Sequence, residues 1–359
     1  MSRTNLVVLG GINIDLVMTT ARAPAAGESK MGTSLGKYVG GKAANIAMAA
    51  YRASHGVFEV SEEESTAGDT ASTARAWSQD LLDGVSVYLN GAVGQDSYGI
   101  WLLEQLALGG VDVSQVQRIA GEETATAMVI VETTTGESRG VAFHGAGDKW
   151  KMPDGTSISC MATGSKPDLV ICQMSVPQNE VFQVLAAATR EGVDTILNPS
   201  PALELPDCVY ANVTHLVMNQ SEAALLCPRG VQLAHGSAVH AEVADLFLQL
   251  GVKNVIITLA AEGAYYTTSV GQRGLVEAEK NVEVVDATGA GCVLAHTRKP
   301  SILDSGHRLT KISDTFLGAY AVEYVRQKRE GKWVAEKAVR LGCKAAAKPL
   351  THSGAQEYM

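Results

Sequence analysis

Short apolar segments alternate with amphipathic segments along most of this chain, and no other feature of the sequence restricts the fold as much. The apolar segments have the length of buried strands, and the segments between them have the three- and four-residue spacing of helices. Strands and helices in alternation form right-handed crossovers, so the sequence predicts an α/β fold with a doubly wound, mostly parallel sheet and helices on both faces. The predicted strands are Leu6–Gly10, Ser86–Leu89, Leu169–Cys172, Thr195–Asn198, His215–Met218 and Asn254–Leu259. The predicted helices are Asn45–Arg52, Gly99–Leu108, Gln178–Thr189 and Ala241–Leu250.

Composition favours one large α/β domain or a domain with a small appendage. The chain has 359 residues, of which 46% are hydrophobic and 19% charged, so it can bury a sizeable core. We therefore predict one domain over residues 1–359. Two segments, 15–38 and 124–144, are rich in Thr, Val and Gly and do not fit the helical pattern.

The charge and the cysteines restrict the partners and the compartment. A net charge of −9 without a Lys/Arg cluster argues against nucleic acid or an anionic membrane as the main partner, so a small molecule is expected. The six cysteines have no Cys-x-x-Cys spacing, and no N-terminal stretch has the pattern of a signal peptide. No run approaches the ~20 apolar residues of a membrane span. We predict a reduced protein of the cytoplasm, with the nucleus also left open.

Several polar residues directly follow predicted strands. Asn13 and Asp15 come after the first strand, and Asn198 and Asn219 end or follow later strands. In open parallel sheets, ligands bind beyond the carboxyl ends of the strands. The sequence therefore predicts a binding site at that edge.

A turn that can bind phosphate lies near the C-terminus. Gly289-Ala290-Gly291 would feed into a helix with free backbone N–H groups at the positive end of the helix dipole. An Asp directly after such a turn can act as a base beside a transferring phosphate. Here the next Asp-Thr-Phe appears only at Asp314, where we expect the helix to begin, so the 22 residues 292–313 form an atypical insertion.

When residues 292–313 are left out, Asp286-Ala287-Thr288-Gly289-Ala290-Gly291 continues directly into Asp314-Thr315-Phe316. The joined string resembles the C-terminal signature of ribokinase-like (PfkB) carbohydrate kinases. The resemblance covers nearly the whole chain, because further motifs follow in the family's order. These are Asn13-Ile14-Asp15-Leu16, Gly40-Gly41-Lys42-Ala43-Ala44-Asn45, Asn198-Pro199-Ser200-Pro201-Ala202, Asn219-Gln220-Ser221-Glu222-Ala223, Ile257-Thr258-Leu259 with Gly263, and Gly354-Ala355-Gln356.

The resemblance implies ATP-dependent transfer of the γ-phosphoryl group to a primary hydroxyl of a sugar, with D-ribose, giving ribose 5-phosphate, as the first expectation. Asp314 would be the catalytic base, and the N–H groups of Gly289, Ala290 and Gly291 would stabilise charge on the transferring group. Segments 15–38 and 124–144 resemble the family's small β lid, which folds over the sugar. The sugar would be held by Asn13, Asp15, Gly41, Lys42, Asn45 and Ser175.

The resemblance also implies a nucleotide site and two kinds of cation. No Walker A spacing is present, so ATP would use a different phosphate cradle. Glu222 would hold Mg²⁺ through water, although Asn219 and Glu222 at this spacing also fit a helix cap. Asp286 and Thr288 would belong to a site for a monovalent cation such as K⁺. The nucleotide would contact Asn219, Thr258, Leu259, Ala260, Ala261, Glu262 and Gly263, with Ala260 where the family usually has Gly.

Two departures from the family keep alternatives open. Ser175 stands where the family typically has a Glu that helps hold the sugar, so fructose, a ketodeoxy sugar acid or a nucleoside remain candidate acceptors. The segment 292–313 separates the anion turn from its base, so a catalytically disabled sugar or nucleotide sensor is the alternative from another class. Because 22 codons keep the reading frame, our first hypothesis for this segment is a retained short intron or a gene-model error. A genuine loop insertion is the second. Whether the chain forms a homodimer is left open.

Overall fold

The computed structural model of the protein describes residues 3–56, 84–135, 137–153, 157–227, 237–279 and 307–347. Within these ranges the strands form two separate sheets. The strands of the large sheet are β1 (Thr4–Leu9), β4 (Val85–Gly94), β5 (Val116–Ile119), β8 (Leu169–Gln173), β9 (Asp194–Asn198), β10 (His215–Asn219), β11 (Asn254–Thr258), β12 (Ala264–Thr268) and β13 (Arg273–Val276). The strands of the small sheet are β2 (Asn13–Thr20), β3 (Ser34–Gly40), β6 (Thr126–Glu132) and β7 (Ser138–Phe143).

The large sheet has the order β13-β12-β11-β10-β9-β8-β1-β4-β5. Its strands pair in parallel from β11 through to β5, and only β12 and β13 at one edge are antiparallel. The parallel strands are joined by helices, as crossovers require. The helices are α1 (Lys42–Ser54), α2 (Ser97–Leu108), α3 (Gln178–Arg190), α4 (Asp207–Tyr210), α5 (Gln220–Leu226), α6 (Ser237–Gln249), α7 (His307–Arg329) and α8 (Ala335–Ala347).

Strand β1 shows why helices cover both faces of the sheet. Its side chains alternate between two apolar clusters, since successive residues of a strand point to opposite faces. Leu6 and Val8 pack with α1, α2, α7 and α8, whereas Val7 and Leu9 pack with α3 to α6. All four side chains are fully buried. The predicted fold class is thereby confirmed.

The small sheet has the order β3-β2-β6-β7 and comes from the two segments that did not fit the helical pattern. β2 pairs antiparallel with β3 and parallel with β6, and β6 pairs antiparallel with β7. β2 follows β1 after only three residues, so the small sheet begins at the carboxyl edge of the large one. We call this small sheet the lid. The extent of the single domain stays a prediction.

The two largest errors in the predicted boundaries concern β4 and α7. β4 was expected to end at Leu89, but it continues to Gly94 because Asn90 donates a buried hydrogen bond to the Met161 carbonyl (3.0 Å) and residues 91–94 pair with β5. α7 was expected to begin at Asp314, but it begins at His307. No Gly or Pro lies between His307 and Asp314 in the sequence, so nothing breaks the helix there.

Other predictions lie outside the described residues. These are the anion turn Gly289, Ala290 and Gly291, the cation residues Asp286 and Thr288, the motif Gly354-Ala355-Gln356 and residues 292–306 of the insertion. Nowhere in the described ranges is a helix both long enough and apolar enough to cross a membrane.

The long helix α7 is attached to the sheet by a buried histidine. His215 begins β10, is fully buried, and its Nδ1 lies 2.7 Å from the hydroxyl of Tyr320 on α7. The rings of Tyr324 and Trp333 meet the His215 ring edge-on, at 4.2 Å and 5.7 Å between centroids. Burial lowers the pKa of His215 to about 3, so the imidazole is neutral in the folded protein.

We predict that this histidine makes the protein less stable in acid. An unfolded histidine binds a proton below about pH 6.5, whereas folded His215 does so only near pH 3. Its contribution to stability is therefore complete above about pH 6.5 and is lost as the pH falls, by up to about 1.4 kcal/mol per pH unit. Urea unfolding at pH 7.5, 6 and 5 measures this slope. His215→Gln should flatten it, and an unchanged slope in that variant would contradict the assignment.

Candidate active site

The predicted site residues meet at one edge of the large sheet. β1, β8, β9, β10 and β11 run parallel, so their carboxyl ends lie side by side. The residues that end or follow these strands are Asn13, Ser175, Asn198, Asn219 and Thr258. The structure therefore brings the sugar-side and nucleotide-side predictions to the same edge.

The first pair of site residues sits at the start of the lid. Asn13 donates from Nδ2 to Oδ1 of Asp15 at 2.6 Å, and Asp15 is only 4% exposed. Gly40 lies opposite Asn13 in β3, and a Cβ on Gly40 would come within 2.2 Å of the Asp15 carboxylate. The missing side chain at position 40 therefore makes room for a buried carboxylate at the base of the lid.

The start of helix α1 packs against the residues that follow β1. Gly41 caps it with φ 95°, and a Cβ at this position would lie 2.4 Å from the Gly11 carbonyl oxygen. Only glycine tolerates both this backbone conformation and this close approach. The tight junction sets the first turn of α1, which carries Lys42 and Asn45, against the end of β1.

Asn45 reaches the predicted catalytic base. Its Nδ2 donates to Oδ2 of Asp314 at 2.9 Å, and the two residues are 6% and 1% exposed. They belong to α1 and α7, which pack so closely that a Cβ on Gly318 would lie 2.7 Å from Cβ of Ala49. The structure thus joins a predicted sugar contact and the predicted base in one buried pair.

The surroundings of Asp314 differ from the expectation in one respect. Because α7 begins at His307, Asp314 lies about two turns, roughly 10 Å, inside the helix. The free N–H groups of a helix belong to its first turn, and the dipole effect falls off within that turn. The start of α7 therefore supplies no anion site beside Asp314 in this chain.

A small cavity lies between the carboxyl edge and the lid. Ser175 lies at its rim and accepts a hydrogen bond at Oγ from the Gly11 N–H (2.8 Å). The cavity measures about 90 Å³. It is lined by Gly11, Ile12, Asn13, Ala125, Thr126, Ala142, Phe143, His144, Gly147 and Ser175. Predicted sugar contacts from β2 and from the end of β8 therefore share one concave surface with the lid.

A buried hydrogen-bond relay at the carboxyl edge of the large sheet was not predicted from the sequence. Gln173 donates from Nε2 to Oδ1 of Asn198 at 2.9 Å, and Asn198 donates from Nδ2 to the Val217 carbonyl at 2.8 Å. The relay ties the carboxyl ends of β8, β9 and β10 together. A polar residue that ends an apolar strand is the signal that could have revealed Gln173.

The predicted nucleotide side contains a helix cap. Asn219 accepts at Oδ1 from the Glu222 N–H, and Glu222 accepts at Oε2 from the Asn219 N–H, both at 2.9 Å. This capping box fixes the start of α5 at the end of β10. The capping arrangement considered from the sequence is present, and the binding roles of both residues stay predictions.

The loop after β11 is tight. Residues Ala260–Glu262 form a short 3₁₀ helix, closed by a hydrogen bond from the Leu259 N–H to the Gly263 carbonyl (2.8 Å). Ala260 has φ 51°, a left-handed conformation that disfavours a side chain. Gly263 has φ 102°, and a Cβ there would lie 1.9 Å from the Val276 carbonyl oxygen.

Residues 3–292 match the family model described as pfkB family carbohydrate kinase. The chain belongs to the pfkB family of carbohydrate kinases. It is therefore an enzyme of the phosphotransferase class with an alcohol group as acceptor. The match to the pfkB family ends at residue 292, where the atypical insertion begins.

Known pfkB relatives agree with this assignment. The chain is 36% identical to ribokinase from Schizosaccharomyces pombe over 291 residues, which cover 80% of this chain and 81% of the relative. It is 28% identical to ribokinase from Bacillus subtilis over 355 residues, covering 99% and 96%. The structure of Arabidopsis thaliana ribokinase complexed with ribose and ATP superposes with a TM-score of 0.75 at 23% identity, covering 100% of this chain and 96% of that chain.

We predict opposite effects for two substitutions in the loop after β11. Ala260→Gly should stabilise the protein by about 1 kcal/mol, because glycine adopts the left-handed conformation without strain. Gly263→Ala should destabilise it by more than that, because its Cβ would collide with the backbone of β13. Thermal unfolding of both variants tests this. The same direction of shift in both would show that backbone conformation does not govern this loop.

Proposed function

We propose that the protein is an ATP-dependent ribokinase that converts D-ribose to ribose 5-phosphate. The observation that carries the proposal is the buried Asn45–Asp314 pair at the carboxyl edge, next to the lid, in a chain of the pfkB family. Two curated relatives that cover at least four-fifths of this chain are ribokinases, which supports ribose as the acceptor and ATP as the phosphoryl donor.

In this mechanism Asp314 accepts the proton of the primary hydroxyl while the hydroxyl oxygen bonds to the γ-phosphorus. The bond from that phosphorus to the β–γ bridging oxygen breaks, and ADP leaves. The hydrogen bond from Asn45 orients the Asp314 carboxylate. Asn13, Asp15, Gly41, Lys42 and Ser175 would hold the sugar, and the lid would keep water from the reaction.

The nucleotide would lie along the ends of β10 and β11. Thr258 to Gly263 and Asn219 are the proposed contacts. Among the described residues, no cluster of three or more His, Cys, Asp or Glu could hold a metal ion directly. The cap uses Oε2 of Glu222, so its other carboxylate oxygen can bind a water ligand of Mg²⁺, which keeps most of its hydration in such sites. Magnesium supplies neutralisation of the phosphate charge when bound.

The remaining assignments rest on the sequence and stay predictions. The anion turn at Gly289, Ala290 and Gly291 and the K⁺ site at Asp286 and Thr288 lie outside the described residues. The cytoplasmic location also rests on the sequence and stays a prediction.

A catalytically disabled sugar sensor is the second candidate, and one observation favours it. α7 starts seven residues before Asp314 (residues 307 to 313), and no anion turn directly precedes the base. The full chain would then bind sugar through Asn13, Asp15 and Asn45 without transferring phosphate.

One experiment separates the two candidates. ADP formation is measured with D-ribose, D-fructose and a nucleoside, with and without KCl, for the full chain and for a variant that joins Gly291 to Asp314. We expect turnover of D-ribose in the shortened chain and a strongly reduced rate in the full chain, because 22 residues separate the predicted anion turn from its base in the sequence. Equal rates would identify residues 292–313 as a tolerated loop. A lack of turnover in both would overturn the kinase proposal.

The control is Asp314→Asn in whichever chain is active. It keeps the shape of the side chain but removes the base, so the turnover number should fall by about 10² to 10⁴. Ribose affinity should stay within about twofold. Retained turnover would remove Asp314 from the role of base.

We also propose that the chain forms a homodimer through an exposed apolar face of the lid. Cross-strand pairing places Met18 beside Leu35, and Met128 beside Val141, on one face of the lid. These side chains are between 37% and 69% exposed, and such a contiguous apolar surface is typical of an interface. Sedimentation should give twice the chain mass, and Val141→Lys should give a monomer. A monomeric wild-type protein would contradict the proposal.

A further inference from the structure

On the lid side, the cavity is lined by a histidine, His144, that has no role in the proposed mechanism. His144 directly follows β7 and lines the same cavity as Asn13 and Ser175. Its side chain is 49% exposed, so it lies at the open side of the cavity and is not part of the core.

The segment after His144 is held firmly in place. Gly145 has φ 48°, and a Cβ there would lie 2.2 Å from the Glu123 carbonyl oxygen. The Ala146 N–H donates to that carbonyl at 2.8 Å, and the Gly147 N–H donates to the His144 carbonyl at 3.0 Å. The bond to Glu123 fastens the turn to the segment just before β6, and the bond to His144 closes the turn itself.

The same turn also reaches the end of β8. A Cβ on Gly147 would lie 3.7 Å from the Ser175 carbonyl oxygen, which is ordinary van der Waals distance. His144 is thus carried by a fixed turn that bridges the lid and the rim at Ser175.

An acidic neighbour orients the imidazole ring. His144 Nδ1 lies 3.2 Å from Oδ1 of Asp148, four residues further along the chain. A carboxylate only accepts hydrogen bonds, so Nδ1 carries the proton in this contact. In the neutral imidazole Nε2 is then an acceptor with a free lone pair.

The other polar groups of the cavity complement this acceptor. The Ser175 Oγ accepts from the Gly11 N–H, so its own O–H is available as a donor. Asn13 uses Nδ2 on Asp15, so its Oδ1 is available as an acceptor. A sugar hydroxyl donates one hydrogen bond and accepts others, and this mixture of donors and acceptors suits a polyhydroxyl ligand.

We propose that His144 is a further sugar-binding residue, whose Nε2 accepts a hydrogen bond from a sugar hydroxyl, and that Asp148 is its positioning residue. This inference rests on the proposed function, because that function makes the cavity a sugar site. The contact fixes the sugar from the lid side, whereas Asn45 and Asp314 approach it from the helices of the large sheet.

Calorimetric titration of D-ribose into the full chain, without nucleotide, tests the proposal and does not require turnover. His144→Ala should weaken binding about 3- to 10-fold, as expected for one hydrogen bond. His144→Gln keeps an acceptor and should recover most of that loss. An unchanged dissociation constant in His144→Ala would overturn the proposal.

A double-mutant cycle tests the role of Asp148. Asp148→Ala should weaken ribose binding in the wild-type chain but have no further effect in His144→Ala, because it acts only through the histidine. Equal effects in both backgrounds would remove Asp148 from this role. The matched control is Lys149→Ala, in the same turn, whose side chain pairs with Glu122 at 3.7 Å and does not line the cavity.

The ribose titrations also distinguish an error in the proposed function from an error in the role of His144. If a folded wild-type chain binds no D-ribose, the ribokinase assignment is wrong and the proposal for His144 falls with it. If ribose binds equally to wild type and His144→Ala, only the inference about His144 is wrong.

Discussion

The buried contact between Asn45 and Asp314 is the constraint on which the rest of the candidate site depends. A carboxylate in the interior needs a hydrogen-bond donor close to it, since an uncompensated buried charge is strongly destabilising. Asn45 can supply that donor only because Gly41, the cap of α1, packs against Gly11 just after β1, and because Gly318 lets α7 approach α1 closely. The geometry of the base is therefore set by two glycines as much as by the polar residues themselves.

Much of the architecture followed from the sequence, since the pattern of apolar residues directly reports burial. The parallel strands were located because both faces of the sheet are covered, which gives continuous apolar runs. Residues such as Asn13 and Asn219 were placed correctly at the carboxyl edge because they come where parallel strands end, and their binding roles stay predictions. The strands β5, β12 and β13 were missed. β5 and β13 have only four residues each and lie at the two edges of the sheet, where the signal is weaker, and β12 pairs antiparallel with β13 beside one of these edges.

The features that the sequence could not predict are mainly contacts between residues that are far apart in the chain. Asn45 and Asp314 are 269 residues apart, and no local pattern reports their hydrogen bond. The start of α7 was misplaced because the family signature at Asp314 suggested a boundary, whereas helix propensity upstream of it continues without a break. The left-handed conformation of Ala260 could not be predicted either, because the residue type alanine does not indicate a positive φ.

The position of Asn13 and Asp15 links selectivity for the acceptor to the exclusion of water from the site. Both residues belong to β2, a strand of the lid, while Asn45 and Asp314 belong to helices packed on the large sheet. A ligand that contacts all four residues would bridge the lid and the helices on the large sheet and hold them together. A molecule that lacks a hydroxyl on either side would not bridge the lid and the helices. The site would then stay open to water. Discrimination between acceptors and exclusion of water would then be a single event.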